Sequence, residues 1–224
     1  MSNSDSFIDE VTEEVQRDKL WAYAQRYGWI AVLLIVGIVG YVAWVEYSKS
    51  QRAAEAQALG DSINAAVSTT DAGARAEALG ALAPTAGDAS VIVNLRQAAA
   101  LVEAEKLDEA LAVYRQIAET SEDPIYADLA QLKALVLQGS AAPLEERLAA
   151  LDALAAPGAP FRTLALEQKA LALVDAGDKE GAIALLTELI EDSETSDGLR
   201  ARAGQVLVAL GGEIPATSRL LSSQ

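Results

Sequence analysis

The strongest constraint in this chain is an uncharged apolar run from Tyr27 to Val45, YGWIAVLLIVGIVGYVAWV, closed by Arg26 on one side and Glu46 on the other. Coiled as a helix at ~1.5 Å per residue it spans roughly 28 Å, close to the ~30 Å hydrocarbon core of a bilayer. A buried helix of this length in a soluble protein keeps one polar stripe, and this run has none. Tyr27 and Trp29 stand at one end and Tyr41, Trp44 and Tyr47 at the other, where amphipathic rings favour the headgroup region. The run therefore predicts a single transmembrane helix over residues 27–46. A cleavable signal peptide is the competing reading. Against it, a long acidic stretch precedes the run, and only Val42-Ala43-Trp44 stands where a small-x-small cleavage site belongs. The expectation is an uncleaved anchor. Arg17, Lys19 and Arg26 before the span outnumber Lys49 and Arg52 just after it, a narrow margin for a cytoplasmic N-terminus. Charge alone leaves the orientation open.

Composition narrows the chemistry. Lys and Arg number 17 against 33 Asp and Glu, a net charge of −16, most of it beyond the span. Such a surface repels nucleic acid and anionic headgroups, so no nucleic-acid partner is expected. His and Cys are both absent. That removes the usual general base, thiolate chemistry and zinc or iron–sulfur ligation. Paired carboxylates could still catalyse, yet no Gly-rich phosphate loop and no nucleophile elbow occurs. The reading is non-enzymatic: no catalytic residue, cofactor, metal or small-molecule substrate is expected.

Beyond residue 50, Ala and Leu dominate and strand-like alternation is scarce, which predicts helices throughout. Breakers divide the region at Thr69-Thr70, Pro84 to Gly87, Lys106, Asp123-Pro124, Gly139 to Pro143, Pro157 to Pro160, Gly177-Asp178 and Ser193 to Gly198. A fixed period of 36 residues links Asp88, Pro124, Pro160 and Ser196, each a residue suited to a helix start. The same spacing relates Ala98, Ala134 and Ala170, and three residues on, Leu101, Leu137 and Leu173. Second helices carry Ala110, Tyr114 and Ile117, then Ala182, Leu186 and Leu189. Units of this length bury their apolar face only by stacking.

These residues resemble the tetratricopeptide repeat. ALALVDAGDKEGAIALLTEL, from Ala170 to Leu189, matches its pattern best, with Gly177-Asp178 at the turn; AAALVEAEKLDEALAVYRQI, from Ala98 to Ile117, has Glu105-Lys106 there. The unit from Ala134 to Leu154 is degenerate around Gly139 and Pro143. The expected fold is all-α: one transmembrane helix followed by a TPR-like α-solenoid of helical hairpins. Its domains are an amphipathic cytoplasmic segment (1–26), the span (27–46), the repeat domain (47–212) and a flexible tail (213–224). On the repeat pattern, Ile92, Leu95, Ala99, Val102, Gln131, Leu135, Gln138, Leu164, Glu167, Leu171 and Val174 face inward, either lining a partner-binding groove or simply packing. Gly37, Gly40 and Ala43 recur every three residues along the span, a smooth face suited to packing another helix.

The lead-in FIDEVTEEVQRDKLW, from Phe7 to Trp21, the R-Y-G-W entry at Arg26 to Trp29, one span and then TPR-like repeats together resemble one bacterial family. It is the tetratricopeptide-repeat membrane proteins typified by the ancillary subunit of the SecYEG translocon. That resemblance implies a single-pass inner-membrane protein with a cytoplasmic N-terminus and a periplasmic helical domain. It implies a scaffold or chaperone-like accessory of protein translocation. Expected partners are translocon subunits and periplasmic folding factors such as a membrane-anchored prolyl isomerase. The alternative is an adaptor for another envelope machine, in cell division or outer-membrane assembly.

Overall fold

The computed structural model describes residues 4–215, with side chains at positions 29, 30 and 33–215. The side chains of the segment 1–26 and the tail from 216 onward lie outside the described residues. Among the described residues every regular element is helical. Nine α-helices run α1 Ser4–Val67, α2 Ala72–Leu82, α3 Ser90–Glu103, α4 Leu107–Thr120, α5 Pro124–Gln138, α6 Leu144–Leu154, α7 Arg162–Asp175, α8 Lys179–Glu191 and α9 Asp197–Ala209. The chain parts into two units after Asp61.

The first unit is helix. Within α1, Leu33–Val67 is long and apolar enough to cross a membrane. Its large side chains are uncovered: Leu34, Ile35, Val39 and Trp44 are each at least 60% exposed. So much bare apolar surface is foreign to a helix that meets water. The helix does not stop at Glu46 but continues unbroken to Val67.

In the second unit the breaks fall where turn-forming residues stand. Helix starts are capped by short acidic or hydroxyl side chains, which accept from the free N–H groups of the first turn. Asp71 Oδ1 accepts from the Ala74 N–H at 2.7 Å, Asp123 Oδ1 from Ile125 at 2.9 Å, Asp178 Oδ1 from Gly181 at 2.9 Å and Ser196 Oγ from Leu199 at 3.4 Å. Pro124 occupies the first turn of α5. Asp88 instead lies in a 3₁₀ turn, Gly87–Ala89, and Pro160 sits in the turn ahead of α7.

From α2 to α9 each helix packs on its sequence neighbour, α5 meeting α6 only sparsely. Three apolar cores stand out among the described residues. One joins Ala98, Tyr114, Ile117, Ala130 and Ala134 of α3, α4 and α5. A second joins Leu132, Leu151, Leu154 and Ala165 of α5, α6 and α7. The third joins Leu166 and Ala170 of α7 to Leu186 and Leu189 of α8 and Leu199, Ala203 and Leu207 of α9. Helices α5 and α7 each serve two cores from two faces, as stacking units of a solenoid do.

The turns after α3, α7 and α9 share one hydrogen-bond pattern. After α3, Lys106 N–H donates to Leu101 C=O and Glu105 N–H to Val102 C=O; after α7, Asp178 N–H donates to Leu173 C=O and Gly177 N–H to Val174 C=O. Gly212 and Gly211 repeat it after α9. This is the Schellman closure, which needs one residue with left-handed backbone. Gly177 and Gly211 supply it at φ 81° and 83°, but Glu105 adopts φ 58° with a full side chain. Left-handed backbone costs an L-residue roughly 1–2 kcal/mol, partly offset by the extra freedom a glycine loses on folding.

Two stability predictions follow from this packing, both read by urea unfolding of the full chain in detergent. Gly177→Ala lowers stability by about 1 kcal/mol, since a Cβ there meets nothing within 4 Å and only the backbone is strained; Glu105→Gly raises it by up to about 1 kcal/mol. Leu186→Ala, at a fully buried site, costs ~2–5 kcal/mol, whereas Leu107→Ala, at a 48% exposed one, costs far less.

Candidate functional site

An apolar groove of about 430 Å³ opens between α5 and α7. Leu129, Leu132, Lys133, Val136 and Leu137 of α5 form one wall, and Leu164, Glu167 and Gln168 of α7 the other. Val102 of α3, Tyr114 of α4 and Arg202 of α9 complete it. The spacing of the α5 set keeps it on one helical face. The neighbouring face carries Ala130 and Ala134, buried against α4. Small side chains there let α4 and α5 approach closely and turn the larger residues outward. Val136 stays 52% exposed and Leu164 37% exposed, so the groove offers apolar surface that its own chain leaves uncovered.

One buried charge sits in the wall. Glu167 is 9% exposed. Arg202 answers it with a two-pronged pair, Nε to Oε1 at 2.9 Å and Nη2 to Oε2 at 3.0 Å. Such fork-to-fork geometry satisfies both carboxylate oxygens, which a buried carboxylate requires. The Glu167 hydrogen bonds in turn raise the pKa of the Arg202 guanidinium. The pair bridges α7 to α9, 35 residues apart. Across the groove, Lys133 Nζ lies 6.0 Å from the centre of the Tyr114 ring, in cation–π range. Burial raises the Tyr114 phenol above its ordinary pKa.

A second ionic cluster ties the last repeat together away from the groove. Arg162 of α7 pairs with Asp192, and with Glu194 at 3.1 Å. The Glu194 N–H donates to Asp192 Oδ1 at 2.8 Å. That backbone bond first, and then Arg162, hold the Asp192 carboxyl below the usual aspartate range. Arg200 donates to the carbonyls of Ile190, Asp192 and Thr195, closing the end of α8 onto α9. Among the described residues no three acidic side chains gather closely enough to hold a metal ion.

Of the residues expected to face inward, the groove takes Val102, Leu164 and Glu167. Leu95 packs partly buried against the α3–α4–α5 core and Leu135 against the α5–α6–α7 core. Ile92 and Ala99 are exposed, while Gln131, Leu171 and Val174 are half-buried outside the lining set. Gln138 accepts from Arg115 Nη2 at 3.3 Å. Along α5 the cavity is lined by 129, 132, 133, 136 and 137, and 131, 135 and 138 lie outside that lining. At ~100° per residue, a one-position offset turns the helix by more than a quarter turn. Ala130 as a second small residue beside Ala134 was the available signal for that phase, because the pair marks the face against α4. Arg202 carried no repeat signal; it enters because α9 packs beside α7. In the apolar helix, a Cβ added at Gly37 or Gly40 meets nothing within 4 Å, and Ala43 is exposed.

A family model described as a tetratricopeptide repeat-like domain matches residues 19–206. No curated protein and no solved structure matches the chain.

The Asp192 pairing predicts an acid-side stability loss. A carboxyl whose folded pKa is depressed adds stability above its unfolded value, about 3.9, and that stability disappears as pH falls through the folded value. Asp192→Asn therefore has a lower melting temperature than the wild type at pH 7. The two curves converge as the pH is lowered below about 3.9, which thermal unfolding across pH checks.

Proposed function

Because the chain belongs to the tetratricopeptide repeat-like domain family, a family of protein-interaction modules rather than enzymes, we propose that it is a membrane-tethered scaffold whose α5–α7 groove holds a segment of a partner protein. The observation that carries this reading is the uncovered apolar pair Val136 and Leu164, both lining one groove on a chain of net charge −16. Soluble surfaces seldom leave such a concave apolar patch without use. The uncovered apolar stretch of α1 supports the tether.

The finer reading is an accessory of protein translocation at a bacterial inner membrane, with the N-terminus cytoplasmic and the repeat domain periplasmic. The lead-in from Phe7 to Trp21 and the Arg26-Tyr27-Gly28-Trp29 entry favour it. Its partners are then translocon subunits, met through the Gly37, Gly40 and Ala43 face, and membrane-anchored folding factors, met through the groove. Tethering raises the local concentration of the groove near a channel exit, so modest affinity suffices.

In-cell photocrosslinking tests this assignment, with the photoreactive residue placed at Gly37, Gly40 or Ala43 and, separately, at Val136 or Leu164. Channel subunits captured from the span, with folding factors captured from the groove, are the expected outcome. Capture of division or outer-membrane assembly proteins alone moves the protein to another envelope machine. Half-buried Leu95 and Leu135 serve as controls: crosslinks from them as strong as from Val136 show that the groove is not the contact surface.

A further inference from the structure

The groove is not electrically neutral. Glu167, its one carboxylate among the lining residues, is committed to Arg202 through both oxygens. Among the described residues Lys133 makes no ion pair; its ammonium stands exposed over the Tyr114 ring. It lies three residues from Val136, so the two share a face of α5. We infer that the groove selects an amphipathic segment whose aliphatic side chains seat against Val136 and Leu164 and whose neighbouring acidic residue meets Lys133. The inference rests on the groove being the partner site.

Charge complementarity carries it. Ammonium offers three donors and no acceptor, so an occupant with a carboxylate at that point satisfies it. One with a cation there meets like charge in a partly desolvated space. Displacing Arg202 to make room is disfavoured, because that leaves Glu167 buried and unpaired. The chain as a whole, at −16, pulls the other way and attracts basic segments at long range. That field is screened beyond ~8 Å at physiological salt, so the charge within the groove decides the docked preference.

The test uses the full chain in nanodiscs and two fluorescent peptides of about 14 residues, four helical turns. Both carry leucine on one helical face; one has Glu at its polar positions and the other Lys. The expected result at about 0.15 M salt is roughly tenfold tighter binding of the Glu peptide. Lys133→Met abolishes that preference and Lys133→Glu inverts it. Equal affinities, or tighter binding of the Lys peptide, overturn the charge selection, while loss of binding in Val136→Asp shows that the groove itself is still the site. No saturable binding of either peptide up to about 1 mM overturns the groove reading and the inference with it. Phospholipid retained in the groove through purification, with both peptides excluded, overturns the assignment of a protein segment.

Discussion

Helices in the repeat unit close on one another through alanine. Ala98, Ala134 and Ala170 recur at one position of α3, α5 and α7, and none is more than 7% exposed. Ala110 and Ala182 answer them from α4 and α8 with no exposure at all. A side chain of one methyl group brings helix axes to the short end of their packing range and lets Tyr114, Leu186 and Leu189 fill the seams alongside. A larger residue at any of these positions overpacks a space with no slack. The pairing of helices, and so the stacking of pairs, depends on that contact.

The groove is a by-product of the same contact at an irregular repeat. Ala130 and Ala134 draw α5 against α4, while α6, starting only after the 3₁₀ turn Gly139–Ala141 and Pro143, meets α5 sparsely. Leu132 alone of the groove wall reaches the α6 side, where it is 6% exposed against Leu151 and Leu154. Leu137 packs back on the α3–α4–α5 core and Lys133 lies over Tyr114, while Val136 is left 52% exposed. Glu167 and Arg202 then pin α7 to α9, which sets the far side of the opening. The groove thus arises where one repeat departs from the regular pattern.

Turn chemistry shows how loosely a repeat can be written. Gly177 and Glu105 stand 72 residues apart, two periods, and both close a helix with left-handed backbone. The geometry persists although the residue suited to it does not, because the hydrogen bonds from Glu105 and Lys106 to Val102 and Leu101 and the packing of α3 on α4 hold it. Reading glycine alone as the repeat marker misses the first of these turns.

Helix number, helix breaks and the buried alanines were legible because each has a local cause. Proline, glycine and capping acids end helices through their own backbone chemistry, and a 36-residue recurrence of small residues states which face is buried. The apolar run from Tyr27 to Val45 is equally local: its composition alone sets the surface it shows. The rotation of α5 about its axis was legible only through Ala130 beside Ala134, and how much of the opposite face α6 leaves open was not legible at all. Nor was the meeting of Glu167 with Arg202, which depends on α9 lying beside α7. Sequence by itself determined which helices form and which side of each is apolar, because those are properties of a few neighbouring residues. Only the tertiary structure decided which apolar residues are covered and which line a groove, because burial is settled between helices and not within one.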